Sequence, residues 1–154
     1  MSEATLVTYL PSRRRRPLVA ALIAMIVVSG CSAPAHESST SGDGLPVIVH
    51  DFGIDLSGHS RVAAGDVRFA VQNQGPEMHE LIVVRSDTTQ LPLRSDGMTV
   101  DEDRIESSIA GSFEDAQPGE HGTLQLHLEP GHYVLFCNMA GHYQAGMHAD
   151  LDVQ

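Results

Sequence analysis

Lysine is absent from all 154 residues, and cysteine occurs only twice. The basic residues are therefore all arginines, and four of the nine stand together at positions 13–16. Beyond residue 30, five arginines face 19 acidic residues, a formal charge of −14 with histidine neutral. A surface of that sign disfavours nucleic acid and anionic lipid as partners, because their phosphates attract cations. It suits a basic protein partner steered by complementary potential, and it also serves plain solubility. Long apolar runs are missing too: residues 18–28 form one that is shorter than the about 20 residues a membrane-crossing helix needs.

What that short run does is set by its flanks. Arginines 13–16 precede it, and Val28-Ser29-Gly30-Cys31 closes it with small residues. Basic block, apolar stretch and small-residue end form the three parts of a secretory signal. The end resembles a bacterial lipobox, in which cleavage before Cys31 accompanies lipidation of its sulfur; an ordinary signal peptide with an incidental cysteine is the bland alternative. The expected organisation is a signal at 1–30, a flexible linker at 31–46 and one domain at 47–154. The linker is rich in Ser, Ala, Gly, Thr and acidic residues and cannot bury enough apolar surface to order itself. The remaining length suits a single core.

With Cys31 committed to lipid, Cys137 is left as the sole thiol of a protein exported to an oxidising compartment, where no intramolecular disulfide can form. A buried inert thiol is the plain explanation, but its neighbours argue for another. Cys137, His142 and Met147 fall within eleven residues that also contain Gly141 and Gly146. A soft thiolate, imidazoles and a weak thioether form the set that selects copper for electron transfer. The loop supplies three such donors, so a second imidazole must come from elsewhere. The stretch Asn73-Gln74-Gly75-Pro76-Glu77-Met78-His79 offers His79 at the mouth of an apolar strand. The expected metal residues are thus His79, Cys137, His142 and Met147, holding one Cu(I)/Cu(II) ion. His50, His59, His121, His127 and His132 are scattered among strand and turn positions and are expected to stay off the metal. His148 and Met78 each adjoin a donor and point to the opposite face of an extended backbone.

Period-2 patterning dominates the domain. Strands are expected at 47–52, 67–71, 80–85, 122–128, 132–137 and 149–153, with turns at Gly65-Asp66 and Glu129-Pro130-Gly131. The pattern weakens between residues 88 and 118, where a short helix at 101–107 with Thr99 as its cap is expected. Many short strands punctuated by Gly, Pro, Asn and Asp predict an all-β fold, an antiparallel Greek-key sandwich or barrel. Such a fold puts the end of the cysteine strand and the start of the His79 strand at one pole.

Residues 47–154, with the Gly131-His132-Tyr133 turn and the Cys-x4-His-x4-Met spacing, resemble the cupredoxins, the type 1 blue copper family. The loop spacing is nearer to rusticyanin and auracyanin than to plastocyanin. The resemblance implies that His79, Cys137 and His142 are equatorial ligands, that Met147 is axial, and that Asn138 fixes the loop. It also implies a solvent-facing edge of His142 as electron port, ringed by Met139, Ala140, Ala145 and Tyr143. One departure stands out: many relatives carry Asn or Ser after the first histidine to tie the ligand loops together, and Glu80 occupies that place here.

The expected function is one-electron carriage by a monomer, held by its lipid anchor at the outer face of the bacterial cell membrane. It would exchange electrons with redox proteins, a basic cytochrome or oxidase among them. The alternative is an extracytoplasmic copper carrier that delivers Cu(I) to a respiratory oxidase. An enzyme is not expected, because copper nitrite reductases and multicopper oxidases need further copper centres, for which a single domain with one available cysteine has no room.

Overall fold

Two sheets and one helical turn make up residues 44–154, the part of the chain that the computed structural model describes. The strands are β1 (Leu45–His50), β2 (Gly53–Asp55), β3 (Arg61–Val62), β4 (Gly65–Asn73), β5 (His79–Arg85), β6 (Ile109–Ala116), β7 (His121–Leu128), β8 (Gly131–Phe136) and β9 (His148–Val153). One sheet has the order β2-β1-β4-β7 and the other β3-β9-β8-β5-β6. Together they form a single-domain all-β sandwich. No helix among the described residues is long and apolar enough to cross a membrane. The signal at 1–30, Cys31 and most of the linker lie outside the described residues.

Alternation explains the inner faces. Val67, Phe69 and Val71 of β4 are buried, as are Leu45, Val47 and Val49 of β1, while their neighbours along each strand are more exposed. These side chains meet Leu81, Val83, Leu135 and Leu151 of the second sheet in the main core. β5 and β8 behave differently, because both of their faces are covered. Leu81 and Val83 face the main core, whereas Ile82 and Val84, with Val134 and Phe136 of β8, form a second cluster with Leu91, Val100, Ile105 and Tyr143. Strands buried on two faces read as continuous apolar runs, which is why residues 81–84 and 133–136 lack alternation.

Several expectations need adjusting. The first strand begins before residue 47, since Leu45 and Pro46 already pair with Phe69 and Ala70. The first strand ends at His50, and Asp51-Phe52 form a tight turn into β2. Gly65 and Asp66 are ladder residues, paired with Leu128 and His127, so the turn lies just before them. The sandwich is not wholly antiparallel, since β1 runs parallel to β4 and β3 to β9. The helix spans Glu102–Ile105 and continues as a 3-10 turn over Glu106–Ser108. Its N-cap is Asp101 rather than Thr99, and no side chain caps it. The stretch between residues 88 and 118 also holds β6, an edge strand whose pairing with β5 shifts register twice.

Candidate metal centre

Three donors from two distant segments converge at one end of the sandwich. His79 is the first residue of β5, and Cys137 directly follows β8. Donor atoms of His79, Cys137 and His142 all lie within 4.8 Å of one another. The thiol sulfur of Cys137 is 3.6 Å from Nδ1 of His142. The imidazole rings of His79 and His142 have centroids 5.2 Å apart. Met147 is the last residue before β9 and is fully buried against the main core.

The loop is closed by its own backbone. The Cys137 amide donates to the Met147 carbonyl at 3.2 Å, and the Met147 amide to the His142 carbonyl at 3.0 Å. The His142 amide reaches the Met139 carbonyl at 2.9 Å. Gly141 adopts φ +85°, a left-handed conformation that lets the chain turn back beneath His142. Met139 packs into the core and Ala140 and Ala145 are exposed, whereas Tyr143 is buried and does not belong to the rim. Its hydroxyl donates to the Thr89 carbonyl and accepts from the Leu91 amide, so it fastens the loop to the segment that follows β5.

Asn138 makes the second fastening. Its side-chain oxygen accepts from the Val100 amide at 2.6 Å, and its Nδ2 donates to the Val100 carbonyl at 3.1 Å and to Glu102 at 2.6 Å. Its own amide donates to Oε1 of Glu80 at 2.9 Å. Glu80, the residue after His79, therefore links the two donor segments through its side chain. Below His79, the fully buried Asn73 accepts from the Gly75 amide at 2.8 Å and donates to the carbonyls of Glu77 and Ala116 at 2.7 and 2.8 Å. The turn that delivers His79 is braced from within.

The electrostatics suit a soft cation. Burial pushes the His79 pKa down, assisted by the neighbouring His142, while Asp51 opposes the shift. Burial pushes the Cys137 thiol up and the Glu80 carboxyl up. A thiol that is fully buried and hard to ionise is no nucleophile for a substrate; a metal that replaces its proton is the natural partner. Both ring nitrogens of the fully buried His79 lack a hydrogen-bond partner. Such orphaned atoms are costly unless something satisfies them, so the donor set fits copper.

Four residues beside this cluster escaped the sequence reading. Phe52 meets the His142 ring edge-on, with centroids 5.7 Å apart, and Met98 lies against Gly141. These are the two large hydrophobic side chains left exposed among the described residues. Asp51 Oδ1 is 3.3 Å from His79 Nε2, and Glu77 Oε2 is 3.6 Å from His142 Nε2. None carries a motif; Phe52 and Asp51 belong to the β1–β2 turn, and only the fold brings that turn to the metal pole. Of the other histidines, His127 pairs with Asp66 and Glu129, His132 pairs with Asp150, and His148 lies against Tyr143.

The sulfocyanin (SoxE) domain matches residues 61–154, more than half of the chain. The protein belongs to this family of cupredoxins. Cupredoxins bind one copper ion and act as electron carriers rather than enzymes. Solved structures show the same fold. Dithionite-reduced auracyanin from the photosynthetic bacterium Roseiflexus castenholzii is 17% identical, with a TM-score of 0.53 over 71% of this chain and 94% of that one. Auracyanin B is 20% identical, with a TM-score of 0.51 over 71% and 86% of the two chains. Rusticyanin from Thiobacillus ferrooxidans is 16% identical, with a TM-score of 0.50 over 74% and 79%. No curated protein sequence matches the chain.

Proposed function

We propose that this chain is an exported, lipid-anchored mononuclear type 1 copper protein that carries single electrons. His79, Cys137 and His142 would hold the ion, with the Met147 thioether as a fourth donor, and the bound metal would supply exchange between Cu(I) and Cu(II). The observation that carries the reading is the convergence of three soft or borderline donors in a buried cluster. His79, Cys137 and Met147 have no exposed surface, and the His142 side chain keeps 11%. That enclosure supports retention of the metal over its delivery to another protein. Fastening of the loop by Tyr143, Asn138 and Glu80 supports a site that moves little between oxidation states.

His142 is the way out for the electron. Phe52 adopts φ +61°, which is costly for a bulky side chain, and stands 56% exposed beside the ring. Strain held in an exposed apolar residue next to a donor is characteristic of a functional surface. With Met98, Ala140 and Ala145 it gives a small apolar rim that suits brief encounters, which bury less than about 1,200 Å². The acidic remainder would steer a basic redox partner toward this rim. Export and anchoring at Cys31 would keep the domain outside the membrane, where such partners are met.

The test is to mix the Cu(I) form with a basic ferricytochrome and, separately, with an apo-oxidase copper domain. The proposal expects cytochrome reduction that slows with added salt, with copper still on this protein. Net movement of copper to the apo domain, without electron exchange, would establish the copper carrier instead.

A further inference from the structure

Nε2 of each imidazole faces a carboxylate, and the two arrangements are not equivalent. Glu77 is 63% exposed in its side chain and stands 3.6 Å from His142 Nε2, where water screens it. Asp51 is closer to its histidine, at 3.3 Å, and its Oδ1 is buried beside a ring with no exposure at all. Neither Asp51 Oδ1 nor His79 Nε2 has a hydrogen-bond partner, and the two atoms face each other across that 3.3 Å. The backbone makes room for the contact. A side chain at position 75 would put its Cβ 2.8 Å from Asp51 Oδ1 and 2.9 Å from His79 Nε2, closer than real Cβ atoms come, so glycine at this place keeps the two together.

A neutral imidazole has one N–H and one lone-pair nitrogen. An ionised carboxylate only accepts, so a hydrogen bond to Asp51 would put the hydrogen on Nε2 and leave Nδ1 as the lone-pair nitrogen. Carboxylates in this position on metal-bound histidines fix ring orientation and raise ligand basicity. A more basic ligand with a negative charge behind it favours the higher oxidation state.

We propose that Asp51 is a positioning residue of the copper site: its carboxylate holds the Nε2–H of His79, aims Nδ1 at Cys137 and His142, and biases the ion toward Cu(II). This rests on the copper reading above and adds to it a residue whose sequence position, in the turn after β1, gives no sign of the role.

Two measurements test it. In the copper-loaded protein, Asp51→Asn keeps the shape and removes the charge. Outer carboxylates are worth about tenfold or more in metal affinity. If that loss falls on Cu(II), the equilibrium at fixed applied potential moves about tenfold toward Cu(I), equivalent to about 59 mV for a one-electron couple. Asp51→Glu should return at least half of the shift, and Glu77→Gln should produce a smaller one. In the metal-free protein, nitrogen NMR should show His79 protonated on Nε2 alone, and Asp51→Ala should yield a mixture of tautomers. The proposal is overturned if Asp51→Asn binds copper with its equilibrium changed less than twofold, if Asp51→Glu shifts it as far as Asn does, or if Asp51→Ala leaves the single tautomer intact. Failure of the wild-type protein to bind copper would overturn the proposed function instead, and the metal-free spectra would still decide the role of Asp51.

Discussion

Glu80 accepts a hydrogen bond from the backbone amide of Asn138 across 58 positions of sequence, at 2.9 Å, joining the segment that carries His79 to the one that carries Cys137. Each partner is adjacent in sequence to a donor residue, so the bond sets the separation of two donors directly. The carboxyl is half-buried and its pKa is raised by desolvation, so the link is costly to keep and informative to remove.

Truncating Glu80 to alanine leaves the Asn138 amide without its acceptor in a desolvated place, a loss of about 1–3 kcal/mol. Chemical denaturation of metal-free Glu80→Ala should show that destabilisation. Glu80→Gln retains an acceptor oxygen and should recover most of it. Equal losses in the two variants would mean that the bond contributes nothing to holding the segments together.

Replacing Met147 by glutamine should keep copper and lower the reduction potential in voltammetry, because an oxygen donor is harder than a thioether and favours Cu(II). An unmoved potential would place the Met147 sulfur away from the metal.

A pH effect is expected far from the site. His127 and Asp66 are cross-strand partners joining β7 to β4, with Nδ1 and Oδ1 2.8 Å apart. The hydrogen bond to Asp66, then its charge, raises the His127 pKa above 6.5. A raised histidine binds its proton more tightly in the folded protein than in the unfolded one. Its contribution is therefore complete below the unfolded value of about 6.5 and fades as pH rises through the folded value. Thermal unfolding of metal-free protein should show a small decline over that window, absent in Asp66→Asn. A persisting decline in that variant would assign it to another group.

The sequence pointed to Cys137 and His142 of the cluster because chemistry leaves a local trace, a thiol and an imidazole in one Gly-containing loop. It disclosed β4, β7 and β9 because each has one face on the core and alternates. β6 was invisible for the opposite reason. Its half-buried residues 111–113 are consecutive, and its bulged pairing with β5 breaks the period. β2 and β3, at three and two residues, are too short to show any period. Tyr143 lies away from the rim because residues 88–108 fold over the outer face of β5 and β8 and bury it, and nothing local to the loop announces that cover. Asp51 and Phe52 are the same kind of omission, since one meets a histidine 28 positions away and the other a histidine 90 positions away, across the fold.

The central claim is that Cys137 sulfur, with His79 and His142, holds one copper ion, and the most direct measurement is a visible absorption titration of metal-free protein with Cu(II). The account predicts an intense colour that saturates at one equivalent and is abolished in Cys137→Ser. A colourless complex, or the same band in Cys137→Ser, would contradict it.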